Sequence, residues 1–315
     1  MLELWAGDAG MTKLTVKVAA LLTVPPLLWA GNALVGRLLA DVMPPLLLNA
    51  VRWWAALLLL LPLGWRAISS AERRQQILQR WRPLASLGLL GVGAYNAFQY
   101  MALHTSTPIN VTLIASSTPV WMLLVGALFY GEHPRATQIG GAVLSLAGVL
   151  LVLVRGDWHQ LGTLRLVAGD LWMLLAALSW AFYSWQLARP PASLRGAARP
   201  HWNWAEFILV QAMFGLVWAS AAALSESVVT PPVVQWSPML AVALLFLAVG
   251  PSVVAYRCWG LGVAAVGPAV AGFFSNLTPL FAALLSAALL GQPPQPYHGA
   301  AFALIVAGIV LSNRR

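Results

Sequence analysis

The chain has 315 residues, 60% of them hydrophobic and only 9% charged, with a mean hydropathy of +0.78. Soluble domains carry roughly 25% charged residues, so a soluble fold is excluded. The formal charge of +9 does not signal nucleic acid, because the basic residues form no continuous face and sit between apolar runs.

A helix needs about 20 mainly apolar residues to cross a bilayer. Ten runs qualify, at 15–36, 43–64, 83–103, 108–130, 136–154, 166–188, 204–225, 238–260, 268–290 and 297–313. They are too long and too evenly apolar for outer-membrane strands, which alternate with period two. The expected fold is an all-α membrane protein of ten transmembrane helices.

Span 1 follows Lys13 and Lys17 without a small-residue cleavage site, and reads as a first membrane helix rather than a cleavable signal. It holds Trp29 near its middle. Span 2 holds Arg52, a costly residue in a membrane helix unless it is paired or wet. The polar stretch 65–82 is too short for a soluble domain. Span 3 carries Tyr95, Asn96, Gln99 and Tyr100. Asn96, Gln99 and Tyr100 share one helical face, as do Tyr95 and Gln99. Such a stripe must turn inward, either to a water-filled cavity or to hydrogen bonds with another helix. Gly88, Gly91 and Gly93 in the same span are hinge candidates or close-packing positions.

Span 4 carries Ser116, Ser117 and Thr118 ahead of Pro119. A proline removes one donor and frees the carbonyl one turn back, here that of Ala115. Freed carbonyls and nearby hydroxyls can bind an amino group, or the hydroxyls can simply satisfy the kink. Span 5 is rich in glycine, at Gly140, Gly141 and Gly148. Span 6 begins near Asp170 and has a second mid-span tryptophan, Trp180, with Tyr183 one turn on. Trp29, Trp180 and Tyr183 can line a cavity, although tryptophans also serve interfacial belts and lipid-facing packing. Span 7 opens near Glu206. Asp170 and Glu206 both read as boundary residues, and no carboxylate falls at the centre of any span. Span 8 has hinge candidates Gly250 and Pro251. Its Arg257 lies about one turn from the span's end, placed to hold a carboxylate or to snorkel. Span 9 carries Ser275, Asn276 and Thr278 ahead of Pro279.

The chain repeats itself at a spacing of 160: Pro108 with Pro268, Pro119 with Pro279, Gly131 with Gly291, Gly148 with Gly308. Ala94-Tyr95 matches Ala255-Tyr256 one residue out of step. Leu28-Trp29-Ala30 resembles Ser179-Trp180-Ala181. The two units are residues 14–155 (spans 1–5) and 166–315 (spans 6–10). Five crossings per unit is odd, so the second enters the membrane from the opposite side and the repeat is inverted. Lysine and arginine set the orientation. With the N-terminus inside, thirteen basic residues lie on inner segments and three (Arg37, Arg155, Arg165) on outer ones. Both termini are therefore expected in the cytoplasm.

These motifs resemble the drug/metabolite transporter superfamily, in its ten-helix branch with two EamA-type repeats. The resemblance rests on Trp29 and Trp180, Pro119 and Pro279, the turn Gly131-Glu132-His133-Pro134, and the glycine-rich fifth span. Its second turn, Gly291-Gln292-Pro293-Pro294, has Gln292 in place of the acidic residue. The resemblance implies export of small metabolites across a bacterial inner membrane, and the general layout is nearest to amino-acid exporters of the YddG type. Drug or organic-cation, purine and nucleotide-sugar export are alternatives. A membrane-embedded lipid enzyme is the alternative from another class, and would need a catalytic cluster that the sequence does not display.

The expected substrate-binding residues are Trp29, Tyr95, Asn96, Gln99, Ser117, Thr118, Trp180, Tyr183, Asn276 and Thr278. Gly91, Pro119, Gly250, Pro251 and Pro279 are expected to act as hinges or gates. Five scattered histidines and the single Cys258 offer no metal-ligand spacing, and no nucleotide motif is present. The expected partners are a small-molecule substrate and the lipid bilayer, with no nucleic acid, cofactor or metal, and the chain is expected to act as a monomer. Without a central carboxylate, proton exchange has no obvious carrier and downhill transport is expected.

Overall fold

The computed structural model describes residues 14–157, 159, 162, 165–229, 234–289 and 295–314. Among them there is no strand, and each of the ten apolar runs coincides with helix. Span 1 is α1 (Val16–Leu38) and span 2 is α2 (Pro45–Gly64). The polar stretch after span 2 folds into a short amphipathic helix, α3 (Ala71–Gln79). Span 3 is α4 (Trp81–Leu87), a π-helical segment (Gly88–Ala94) and α5 (Tyr95–Thr105). Span 4 is α6 (Pro108–Ser116) and α7 (Thr118–Phe129), and span 5 is α8 (Ala136–Leu153).

Span 6 is α9 (Ala168–Ala188) and span 7 is α10 (Trp204–Val229). Span 8 is α11 (Pro238–Leu247), a second π-helical segment (Ala248–Val254) and most of α12 (Ala255–Phe274). Span 9 is the end of α12 and α13 (Leu277–Leu289), and span 10 is α14 (Pro296–Ser312). Six helical stretches are individually long and apolar enough to cross a membrane, and a seventh forms when α6 and α7 are joined across a 41° bend. The protein is a multi-pass membrane protein. The turn at 291–294, Lys13 and Arg315 lie outside the described residues.

The chain marks its own helix starts. Proline begins α2, α6, α11 and α14, where its missing N–H has no intrahelical partner to lose. Thr15, Ser70, Thr107 and Ser237 cap their helices through side-chain oxygens. Carboxylates do the same work at longer reach. Glu206 accepts from the Asn203 N–H (2.6 Å) and pairs with Arg73 (3.4 Å), fixing α3 against the bundle. Glu226 accepts from the first N–H groups of α2, at Leu46 (3.1 Å) and Leu47 (2.9 Å). Asp170 accepts from Val167 N–H (2.9 Å), Asn110 (2.8 Å) and the Ser106 hydroxyl.

The two repeats meet head to tail. In α8 and α14, Gly141 lies against the backbone of Gly308 and Ser312, while Gly148 lies against Ala301 and Leu304. The numbering rises on one helix as it falls on the other, so these repeat-equivalent helices are antiparallel and the repeat is inverted. The helices approach closely because a Cβ on Gly141 would sit 2.7 Å from the Gly308 carbonyl oxygen. In α2 and α10 the same reversal appears, with Leu46 near Glu226, Trp54 bonded to Ser220 and Gly64 against Ala205.

The structure corrects the register of the internal match. The π-helical segments at 88–94 and 248–254 are 160 apart, so Tyr256 is the counterpart of Asn96, not of Tyr95. Their widened turns are visible in backbone bonds of five-residue span, from Tyr95 N–H to the Leu90 carbonyl and from Ala255 N–H to Gly250. Gly91, Gly250 and Pro251, expected as hinges, all lie inside these segments. Spans 8 and 9 are joined by one residue, Gly267, at φ 80° and ψ 163°, a conformation open only to glycine.

Candidate functional site

The interface between the repeats is filled by aromatic rings. Trp180 of α9 is the hub. Its ring lies 5.1 Å from Trp29 of the other repeat, 4.8 Å from Tyr95, 5.0 Å from Tyr183, 5.5 Å from Tyr256 and 5.4 Å from Trp259. Trp29 also meets Trp259 at 5.3 Å, and Trp53 meets Tyr256 edge-on at 5.0 Å. These rings come from spans 1, 2, 3, 6 and 8. Edge-to-face pairs satisfy the ring quadrupoles, each worth about 0.5–1.5 kcal/mol beyond the area buried. Trp29 and Trp180 are thus buried between the halves. They pack ring to ring rather than around an open chamber.

Polar side chains thread through the rings. Asn96 donates to Tyr256 (3.2 Å) and to the Gly91 carbonyl (3.3 Å), which also accepts from the Tyr256 hydroxyl. This joins two repeat-equivalent residues, so the pseudo-twofold axis passes between them. The Gly91 carbonyl is available because the π-helical segment leaves it without its regular helical donor. A Cβ on Gly91 would sit 2.7 Å from the Tyr183 ring, so glycine is also required for packing.

The network continues toward the end of the bundle where span 1 leads into span 2. Gln99 links Tyr95 (3.4 Å) to Asn32 (3.2 Å). Arg52, 1% exposed, donates to Asn32 Oδ1 (2.8 Å), the Tyr100 hydroxyl (2.7 Å) and the Ser252 hydroxyl (3.2 Å). Tyr100 in turn donates to Asn32 (2.8 Å). The guanidinium also lies 5.6 Å from the Trp53 ring centre. Among the described residues the ion pairs are Arg73–Glu206 and Arg189–Glu132, and no carboxylate pairs with Arg52.

At the other, arginine-rich end, spans 6, 7 and 8 leave a cleft. Tyr183, Leu187, Gln211, Tyr256, Trp204, Arg257 and Gly260 are among the residues that line it. Tyr183 donates to Gln211 (3.0 Å), and Arg257 lies over Trp204 at 4.4 Å. The cleft is narrow, with room for water-sized guests in this conformation.

Most of the candidates named from sequence converge: Trp29, Tyr95, Asn96, Gln99, Trp180 and Tyr183 form one connected group. The span 4 hydroxyls turn to their own helix. Ser117 donates to the Ile114 carbonyl (2.6 Å), and Thr118 to the freed Ala115 carbonyl (2.5 Å). Pro119 sits in the first turn of α7, so the break falls at Ser117. In span 9 the break falls at 275–276, ahead of Thr278 and Pro279 in the first turn of α13. Asn276 is buried there with Oδ1 unpartnered, as is Ser275 Oγ. Helices of spans 4 and 9 touch near their breaks, where Gly272 packs on Met122 and Pro119. Tyr256, Trp259, Trp53 and Asn32 were not picked from sequence. A signal existed for two of them: Asn32 is one turn from Trp29, and Trp259 one turn from Tyr256.

The profile of the EamA-like transporter family matches residues 16–154 and again 167–314. The chain is 24% identical over 300 residues to an uncharacterized transporter of Archaeoglobus fulgidus, covering 95% of this chain and 98% of that one. It is 28% identical over 288 residues to the aromatic amino acid exporter YddG of Ancylobacter novellus, covering 91% and 93%. A solved crystal structure superposes with a TM-score of 0.73 at 25% identity, covering 95% of this chain and 96% of that chain.

Proposed function

The chain belongs to the EamA-like transporter family, and from that premise we propose that it exports amino acids, aromatic or apolar ones foremost, across the bacterial inner membrane. The observation that carries this reading is the ring cluster around Trp180, which joins both repeats at their interface. A site between inverted halves can be exposed to each side in turn. Flat apolar faces with interleaved amide and hydroxyl groups suit a side chain that is aromatic or aliphatic on a polar stem. The similarity to an aromatic amino acid exporter supports the same class.

In this reading both termini and the arginine-rich end face the cytoplasm. The cleft is the entry from the cell, and the Arg52 network closes the exit. Among the described residues the transmembrane path has no free carboxylate to carry protons. Asp170, Glu206 and Glu226 are instead held at helix starts by backbone N–H groups. Export therefore runs down the substrate gradient. An enzymatic reading finds no support in the ring cluster, which presents no nucleophile beside a base.

The test is efflux from proteoliposomes loaded in turn with labelled amino acids, sugars, nucleobases and quaternary cations. Phenylalanine, tryptophan and leucine should leave fastest, with or without a pH gradient. Efflux confined to the cations or nucleobases would replace the amino-acid reading.

A further inference from the structure

We propose that Arg52 is the carboxylate subsite of the export path, and that a substrate's carboxylate opens the exit by taking Arg52 from its neutral partners. The proposal rests on the amino-acid export reading for its physiological ligand, but not for its chemistry. Arg52 is a guanidinium cation buried within a membrane helix. Its hydrogen-bond acceptors are an amide oxygen and two hydroxyls, from Asn32, Tyr100 and Ser252. They satisfy N–H donors but carry no negative charge, and beside them the cation meets only the π-faces of Trp53 (5.6 Å) and Tyr100 (5.9 Å). An intramembrane cation in that condition is a functional site by default, and its natural partner is an anion. A carboxylate matches the guanidinium fork with two parallel charge-assisted bonds.

The surroundings specify what the carboxylate is attached to. Arg52 lies 5.6 Å from the Trp53 ring centre, and Trp53 lies 5.0 Å from Tyr256, a member of the central ring cluster. A molecule with its carboxylate on Arg52 therefore lays its next atoms along aromatic faces. The binding event is also a gating event. Tyr100 and Asn32 hold each other (2.8 Å) and both hold Arg52, so spans 1, 2 and 3 are tied through this one cation. Drawing the guanidinium onto a carboxylate loosens all three at once. In the other repeat the eighth residue of α10, Gln211, stands where Arg52 is the eighth residue of α2. It is neutral and bonds Tyr183. The entry side thus has no competing buried cation at the equivalent position.

The experiment compares phenylacetate with phenylacetamide, near-isosteres that differ in charge, by calorimetric binding to the full chain in nanodiscs. The unmodified protein should prefer phenylacetate by at least about tenfold, as a charge-assisted fork predicts. Arg52→Gln should reduce the preference to within about threefold, and Arg52→Lys, which keeps charge but not the fork, should fall between. Tyr100→Phe removes a neutral competitor for the guanidinium, so phenylacetate should bind several-fold tighter with phenylacetamide unchanged. Equal or undetectable binding of the two probes by the unmodified protein overturns the proposal, as does a preference that survives Arg52→Gln. If Arg52→Gln does not fold, Tyr100→Phe decides, and an unchanged ratio there overturns it. Absence of amino-acid efflux alongside an intact, Arg52-dependent carboxylate preference would instead sink the export reading and leave the subsite standing.

Discussion

The two ends of the central site share a backbone plan and differ in side chains. At the end that the proposed orientation makes the exit, Asn32, Arg52 and Tyr100 close spans 1, 2 and 3 with a shared set of hydrogen bonds. At the opposite, arginine-rich end, the corresponding positions hold Tyr183, Gln211 and Gly260, with one bond between the first two and a cleft beside the third. An inverted repeat makes the two shapes interchangeable in principle, and the side chains decide which is occupied. In such a lock the neutral Tyr100–Asn32 bond contributes about 1 kcal/mol net, and each bond from the charged guanidinium about 1.5–3 kcal/mol. Two or three such bonds are enough to bias a two-state equilibrium strongly, since about 1.4 kcal/mol corresponds to tenfold.

The comparison is broken most completely by removing what both ends rest on. Trp180→Ala deletes the ring that touches Trp29, Tyr95, Tyr183, Tyr256 and Trp259. It should cost roughly 3–5 kcal/mol of stability and abolish labelled phenylalanine counterflow in proteoliposomes. Trp236→Ala, at an exposed position, should leave counterflow unchanged. Counterflow that persists in the first variant would remove Trp180 from the path.

A smaller effect should come from making the cytoplasmic end resemble the exit. Gln211→Arg with Gly260→Tyr supplies the missing cation and ring, and should narrow the cleft by adding bonds worth about 1 kcal/mol each. Labelling of Leu187→Cys by an impermeant thiol reagent should slow accordingly, in a Cys258→Ser background. Unchanged labelling would mean that backbone position, not these side chains, holds the cleft open.

Gly141→Ala tests the packing common to both ends. Its Cβ would meet the Gly308 carbonyl at 2.7 Å, and overpacking of this kind costs about 1–3 kcal/mol. Thermal unfolding should shift down, with no change in side preference during labelling. The mildest change is expected from Asp170→Asn and Glu206→Gln, each weakening one helix start by about 1 kcal/mol. Neither should make efflux respond to a pH gradient, which flux measurements at matched expression would check.

The spans were legible because each one is a run of apolar residues whose backbone must be satisfied internally. The inversion was legible from an odd number of crossings. Trp29 and Trp180 stood out because both recur at mid-span in the two repeats. The lock was not legible. Arg52 was visible as an intramembrane cation, but its partners Asn32, Tyr100 and Ser252 lie on three other spans, and only packing brings them together. The π-helical segments were also hidden. A widened turn resets every face after it, so Asn96 meets Tyr256 although the short sequence match aligned Tyr95 with Tyr256. The hydroxyls before Pro119 show the limit of local reasoning: Thr118 satisfies the carbonyl that the proline frees.

Side-specific thiol labelling tests the central claim, that the narrow cleft on the cytoplasmic side widens to admit reagents more readily than the exit, which is locked. Gln211→Cys and Asn32→Cys are made separately in a Cys258→Ser background and exposed to an impermeant maleimide from each face of oriented vesicles. The account predicts that Gln211→Cys reacts from the cytoplasmic face at least about tenfold faster than from the other, the ratio given by a bias of about 1.4 kcal/mol. It also predicts that Asn32→Cys reacts slowly from both faces until substrate is added. Rapid reaction of Asn32→Cys from the outer face without substrate, or protection of Gln211→Cys from the cytoplasmic face, would contradict it.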